Sequence, residues 1–281
     1  MNPIKTALAL SLLAGQTAIA ADLKSAITFH ASFDQSENAD FALGDKQFYN
    51  APDMKKSGVA GLPTSGAVTR AENGKFGSAL RFKKTSEAMH FKADRNVAYN
   101  TTNWSGSVSV WLSLTPDEDL EPGYTDPIQI TSKQWDDAAF FIEFTKDDKP
   151  REFRLGAYAD RKVWNPNGRD WNAIPFSEKP LIKVERPPFK RTEWTHVVWT
   201  FSNYNTGHTN GVTTLYLNGE SRGSLTPRQQ TFTWKIEEAK VFMGLSYIGG
   251  LDELTLFNRA LTAGEVKELY KLPSGVKALL R

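Results

Sequence analysis

Cysteine is absent from all 281 residues, which excludes disulfides, thiolate zinc sites and a cysteine nucleophile together. A surplus of either charge is missing too. Lys and Arg number 34 against 32 Asp and Glu, too even a balance to hold a polyanionic nucleic acid backbone by bulk electrostatics. Nucleic acid is therefore not an expected partner. The four histidines, His30, His90, His196 and His208, are scattered, and none sits in a nucleophile signature beside a serine. His-Glu-x-x-His and the phosphate-cradling Gly-x-x-x-x-Gly-Lys are both lacking. What is present is 40% hydrophobic and 23% charged residues, a composition that can bury one good core.

The N-terminus reads as an export signal. Met1 to Lys5 is a short basic start, Thr6 to Gly15 an apolar run too short to span a bilayer, and Ala18-Ile19-Ala20 a small-x-small cleavage site. Residues 1–20 are expected to be removed before Ala21, leaving 33 basic to 32 acidic residues. The mature chain then works outside the cytoplasm, secreted or periplasmic, with no membrane insertion.

From Ile27 onward the dominant period is two, the signature of half-buried strands. Ile27, Phe29, Ala31 and Phe33 alternate with polar residues, Val108, Val110 and Leu112 do the same, and Thr195 to Phe201 is dense in β-branched and aromatic residues. Asn218-Gly219 between two such runs predicts a two-residue type I′ hairpin, because both residues tolerate positive φ. About ten to thirteen short strands separated by Gly, Pro, Asn and Asp point to an antiparallel sandwich. Only Thr262-Ala263-Gly264-Glu265, a capping box followed by Val266, Leu269 and Tyr270, predicts a helix. No linker divides residues 21–281, which read as one domain. Two insertions stand out, Thr115 to Asp126 and Trp164 to Pro188, and long loops in compact domains are often functional.

Five motifs occur in a familiar order: Phe76-Gly77-Ser78-Ala79-Leu80-Arg81-Phe82, Ser107-Val108-Ser109-Val110-Trp111-Leu112, Glu193-Trp194-Thr195-His196-Val197-Val198, Leu215-Tyr216-Leu217-Asn218-Gly219 and Gly250 through Leu261. Together they resemble the laminin-G-like, concanavalin A-like jelly-roll family of secreted bacterial proteins. The resemblance implies an all-β, two-sheet antiparallel jelly-roll sandwich with a concave face, closed here by one short C-terminal helix. That scaffold hosts lectins, glycosidases, lyases and adhesion modules alike, so function has to come from the site.

Glycosidases of this fold carry Glu-x-Asp-x-x-Glu on one strand, and its lyases a Gln-Ile-His strand with a partnering Tyr. The first is absent here, and Gln129-Ile130-Thr131 lacks the His. The acidic run Asp117-Glu118-Asp119-Leu120-Glu121 between two prolines reads as a solvated loop. His196 reads as a hydrogen-bonded sheet residue, and Trp111 and Trp199 as core.

For binding, sugars need exposed aromatic rings to stack on and directed polar groups for their hydroxyls. The loop Trp164, Asn167, Arg169, Asp170, Trp171 has both, and Trp135 is a second loop-borne ring. Asp252 alternates onto the same face as Leu254 and Leu256, where an unpaired carboxylate would be costly. The resemblance sets the first and last strands side by side, bringing Asp34 near Asp252, and implies a structural calcium ion held there with main-chain oxygens. Hydrogen bonds to backbone amides, or a cation such as Arg259, would serve Asp252 equally. The expected function is a non-enzymatic binding module for carbohydrate or a cell-surface glycoconjugate, its partner a glycan or glycoprotein. The alternatives are a glycan-active enzyme on the same fold and a protein–protein adhesion module.

Overall fold

The computed structural model describes residues 22–85 and 87–280. The expected export signal and its cleavage site lie outside the described residues. Seventeen strands are numbered along the chain: β1 (Ile27–Ala31), β2 (Phe41–Ala42), β3 (Tyr49–Ala51), β4 (Val59–Ala60), β5 (Val68–Ala71), β6 (Ala79–Phe82), β7 (Ala88–Lys92), β8 (Trp104–Ser113) and β9 (Thr125–Thr131). They continue as β10 (Ala139–Phe144), β11 (Phe153–Tyr158), β12 (Leu181–Val184), β13 (Thr195–Tyr204), β14 (Val212–Leu217), β15 (Glu220–Ser224), β16 (Lys240–Leu245) and β17 (Gly249–Phe257). One sheet runs β15-β14-β13-β8-β17-β1-β2, with β6 also on β17 and β5 on β6; the other runs β12-β11-β10-β9-β16-β7-β3-β4. Among the described residues the paired strands run antiparallel, and β1 lies beside β17 as the resemblance implies.

Alternation explains why the sheets close on each other. Val108, Val110 and Leu112 of β8 and Phe140, Ile142 and Phe144 of β10 all point into one buried cluster. Trp104 anchors it, with Phe201 at 4.7 Å and Phe232 at 5.6 Å between ring centroids, and Trp199 is fully buried in it. Rings of this size each take roughly 150–250 Å² out of water. The hairpin forms at Asn218-Gly219 with φ of 53° and 80°, the positive pair that turn requires. The helix Ala263–Lys271 starts at a complete capping box of Thr262 and Glu265. Its buried residues Val266 and Leu269 seal a second cluster on the back of the nine-stranded sheet, where Trp111 stacks on His196 at 4.6 Å. His196 Nε2 bonds Ser109 Oγ at 2.8 Å, so it is a hydrogen-bonded sheet residue.

One alternation fails. Glu253 adopts φ of 54° and the β17–β8 register shifts between Asp252 and Thr255, so one extra residue interrupts the period of two. Leu251, Leu254 and Leu256 enter the core, while Asp252 pairs with Trp111 on the opposite face. The expected sharing of a face by Asp252, Leu254 and Leu256 is thereby corrected.

The acidic insertion is stapled down instead of free. Pro116–Asp119 forms one helical turn, Asp119 accepts the Thr115 amide at 2.6 Å, Asp117 accepts that of Arg151, and Arg191 pairs with Glu118 and Asp119. Among the described residues no helix is long and apolar enough to cross a membrane.

Candidate functional site

The residues of β9, β10, β11 and β16 that do not enter the core face outward, onto the exposed side of the eight-stranded sheet. Because antiparallel partners stand directly opposite one another, those residues form rows across the strands. The central row is continuous: Tyr49 opposite His90, His90 opposite Phe242, Phe242 opposite Gln129, Gln129 opposite Phe141, Phe141 opposite Gly156. Tyr49 stacks on His90 at 5.5 Å. Gly156 is required where it is, since a Cβ there would fall 2.3 Å from the Phe141 ring. With that space free, Phe141 lies over β11 and stacks on Tyr158 at 5.5 Å. This row is the floor of an open groove of about 1250 Å³, somewhat beyond the roughly 300–1,000 Å³ of an ordinary small-molecule cleft.

Beside it runs a charged row. Glu143 faces Arg154, and their Oε1 and Nη2 atoms are 2.6 Å apart. Asp126 lines the groove on the neighbouring strand β9. Burial pushes Glu143 up to about 7 against the pull of Arg154. Burial first, and then the charge of Glu143, hold Asp126 well above the usual carboxylate range. The two carboxyls therefore titrate as a coupled pair beside one permanently charged guanidinium. His90 is brought down to about 4, by burial first and also by Lys240 and Lys92, so it is neutral at pH 7. Three buried polar atoms of the lining, Gln129 Nε2, Arg154 Nε and Tyr158 Oη, have no protein hydrogen-bond partner. Buried donors left in that state are costly unless something else accepts from them.

Loops supply the walls. Trp135 stands 46% exposed at one end, edge-on to Trp171 at 5.5 Å and Tyr158 at 5.7 Å, and Tyr124 stands over Arg154 at 5.2 Å. Of the loop residues expected to touch sugar, Trp135 and Trp171 line the groove. The others are not part of its lining. Trp164 packs against Tyr158 at 5.0 Å and donates from Nε1 to the Asp136 carbonyl at 2.8 Å. Arg169 pairs with Glu178, Asp170 caps the turn Trp171–Ala173 by accepting from Asn172, and Asn167 is exposed in the turn just before them. Sequence reasoning missed Glu143, Arg154, Phe141, Phe242, His90 and Tyr158 as site residues. The usable signal was the outward parity of β10, β11 and β16.

The structure also brings Asp34 and Asp252 together, one on each side of the loop Gly74–Ser78. Asp252 accepts the amides of Lys75 at 2.7 Å, Phe76 at 3.3 Å and Glu253 at 2.8 Å, while Asp34 Oδ1 accepts that of Ser78 at 3.0 Å. The remaining Asp34 oxygen carries the Lys277 ammonium at 2.5 Å. Among the described residues no group of three or more His, Cys, Asp or Glu is arranged to hold a metal ion. With Lys277 in place the residues present do not fit calcium, whose positive charge the ammonium already supplies.

A two-sheet jelly roll with an aromatic and polar groove across one sheet defines a lectin-type sandwich. The chain belongs to the concanavalin A-like lectin/glucanases superfamily, whose laminin G profile matches residues 86–267. No curated protein sequence matches the chain. Among solved structures it is similar to domain 4 of AbnA, a GH43 extracellular arabinanase from Geobacillus stearothermophilus, in complex with arabinotriose. That likeness has 19% identity over 86% of this chain and 97% of that one, with a TM-score of 0.52. It is similar to the binding domain of Paraclostridial Mosquitocidal Protein 1, at 12% identity over 88% of this chain and 52% of that one, TM-score 0.53. It is also similar to a Trypanosoma rangeli sialidase in complex with 2,3-difluoro-KDN, at 13% identity over 88% of this chain and 32% of that one, TM-score 0.52. Identities this low bear on the fold alone.

Proposed function

We propose that the chain binds a carbohydrate chain along the outer face of the eight-stranded sheet. The observation that carries this is the cross-strand row Tyr49, His90, Phe242, Gln129, Phe141, walled by Trp135 and Trp171. Rings for the apolar faces of sugars alternate there with amide, hydroxyl and guanidinium groups for their hydroxyls. Two of the similar structures, the arabinanase domain and the sialidase, hold a carbohydrate or a sugar analogue. The test is a glycan array with purified residues 21–281, followed by calorimetry on the best ligand. Gln129→Leu and Trp135→Ala should each weaken binding with the fold intact. A parent protein that binds no glycan refutes the proposal.

A second reading, glycan cleavage, is favoured by one observation: Asp126 and Glu143 both face the groove, and both hold protons unusually well. A carboxyl poised near neutral pH is what a general acid needs. Chain shortening of a bound polysaccharide, lost in Glu143→Gln while binding persists, would establish it. The adhesion reading draws less support, because two of the six exposed large hydrophobics among the described residues, Tyr124 and Trp135, belong to the groove itself. Export before Ala21, and the exclusion of calcium from Asp34 and Asp252 by Lys277, are proposals with tests of their own, given below.

A further inference from the structure

The groove carries charge that the chain as a whole does not. Seven cationic side chains line it against four carboxyls, whereas the full sequence has 34 basic to 32 acidic residues. Several of those cations are already spent: Lys92 pairs with Asp45, Lys133 with Asp160, Lys146 with Asp147. Lys55, Lys56 and Lys240 make no ion pair among the described residues. Lys240 is the informative one. It stands in the row next to the floor, opposite Thr131 and Lys92, and lies over Phe242 at 5.6 Å. It is held by the carbonyls of Met54 and Lys56 at 3.3 and 3.0 Å and feels the Asp53 carboxylate without forming an ion pair, so its charge is positioned and only partly offset.

The second observation is independent of charge counting. Arg154 Nε can only donate a hydrogen bond, and Gln129 Nε2 and the Tyr158 hydroxyl are donors as well. All three are buried in the lining without an acceptor. Arg154 and Tyr158 are four residues apart on β11, roughly 13 Å at strand rise, with Gln129 in the row between them. A floor of unmet donors beside ammonium groups that form no ion pair is complementary to a ligand rich in anionic acceptors. Neutral sugar hydroxyls would meet the donors but leave the charge unanswered.

Building on the carbohydrate-binding reading, we infer that the ligand is an acidic glycan, its carboxylate or sulfate groups received by Lys240, Arg154 and Gln129. Carboxylate and sulfate present the same chemistry to these donors, and the experiment separates them. Oligosaccharides of polygalacturonate, alginate and glucuronan are titrated calorimetrically into the purified protein, each beside its carboxyl-reduced counterpart, with dextran sulfate beside dextran as the sulfate arm and arabinan as a further neutral probe. At least one acidic member should bind ten-fold or more tighter than its neutral counterpart, and that preference should shrink as salt is raised from 50 to 300 mM. A preference confined to the carboxylate pairs names uronate as the anion; one confined to dextran sulfate names sulfate. Lys240→Met should lower the affinity for the preferred acidic oligosaccharide about five- to ten-fold and that for its neutral counterpart by less. If a neutral member binds as tightly as its acidic partner, the inference falls and the carbohydrate reading stands. If no oligosaccharide binds, acidic or neutral, the carbohydrate reading falls and takes the inference with it.

Discussion

Trp164 and Trp135 lie within one aromatic cluster, yet the structure gives them opposite duties, and alanine at each position separates those duties. Trp164 is half-buried and packed on Tyr158, with its indole nitrogen bonded to the Asp136 carbonyl. Removing the ring re-exposes roughly 100–150 Å² of apolar surface, about 3 kcal/mol, and the lost hydrogen bond adds about 1 kcal/mol. About 4 kcal/mol in a domain of this size corresponds to a melting temperature about 8–16 °C lower. Trp135 is 46% exposed and touches its neighbours only by ring edges, so Trp135→Ala should cost less than about 1 kcal/mol of stability. Its glycan affinity should fall by about 1–3 kcal/mol, roughly 5- to 150-fold, taking aromatic stacking on a flat ligand as the guide. Thermal unfolding followed by calorimetric titration with the best array ligand measures both. A Trp164→Ala protein that melts with the parent, or a Trp135→Ala protein that binds like it, would refute the division.

The Glu143 carboxyl, pushed up to about 7 among Asp126, Arg154 and Tyr158, keeps its proton at pH 5.5 and loses it by pH 8.5. Anionic glycans should therefore bind more weakly as pH rises through 7, and titrations of Glu143→Gln should show a flatter profile. Calcium and Lys277 compete for Asp34, so calcium and chelator should give superimposable melts of the parent and a calcium-dependent rise in Lys277→Met. A rise in the parent would show that calcium displaces the lysine. Glu265, held down to about 2 chiefly by Arg259, contributes stability that is full above about 4.5 and is lost as pH falls toward 2. Glu265→Ala should cost about 2–3 kcal/mol at pH 7 in urea unfolding, and a smaller cost at pH 2.5 checks the sign. Mass measurement of protein from its native host should give a chain starting at Ala21; an intact Met1 would overturn the export reading.

Much of the fold was legible because its signals are local. Alternation in β8 and β13, the Asn218-Gly219 turn and the Thr262–Glu265 capping box each act within a few residues, and each forms as expected. Asp252 was misassigned to the core face because a bulge at Glu253 carries no sequence mark when the residue taking positive φ is not glycine. The groove was illegible for a different reason. Parity tells that Phe141 and Glu143 point away from Phe140 and Ile142, but both sheets have an outward face. Which of them is left open, and which the C-terminal helix covers, depends on where residues 263–271 dock. Loop tryptophans drew attention because they looked exposed, while Arg154 and Gln129 were hidden inside ordinary strand patterns.

Floor and core are two sides of the same strands, and this governs how the site can change. Phe140, Ile142 and Phe144 are locked in the sandwich, so Phe141 and Glu143 between them are placed with the rigidity of the core and need little ordering when a ligand arrives. A one-residue slip of β10 would bury Glu143 and expose Phe144, which makes the register costly to alter. Tyr124, Trp135 and the Lys55–Lys56 segment instead come from loops at the rim, where substitution leaves every strand pair intact. Affinity for the body of a sugar chain is thus tied to the fold, whereas the length and charge of the chain accepted are set by residues free to vary. Exchanging the Lys55–Lys56 pair for Gln should accordingly alter ligand preference without moving the melting temperature, whereas Gly156→Ala, which drives a methyl group into Phe141, should lower both stability and affinity.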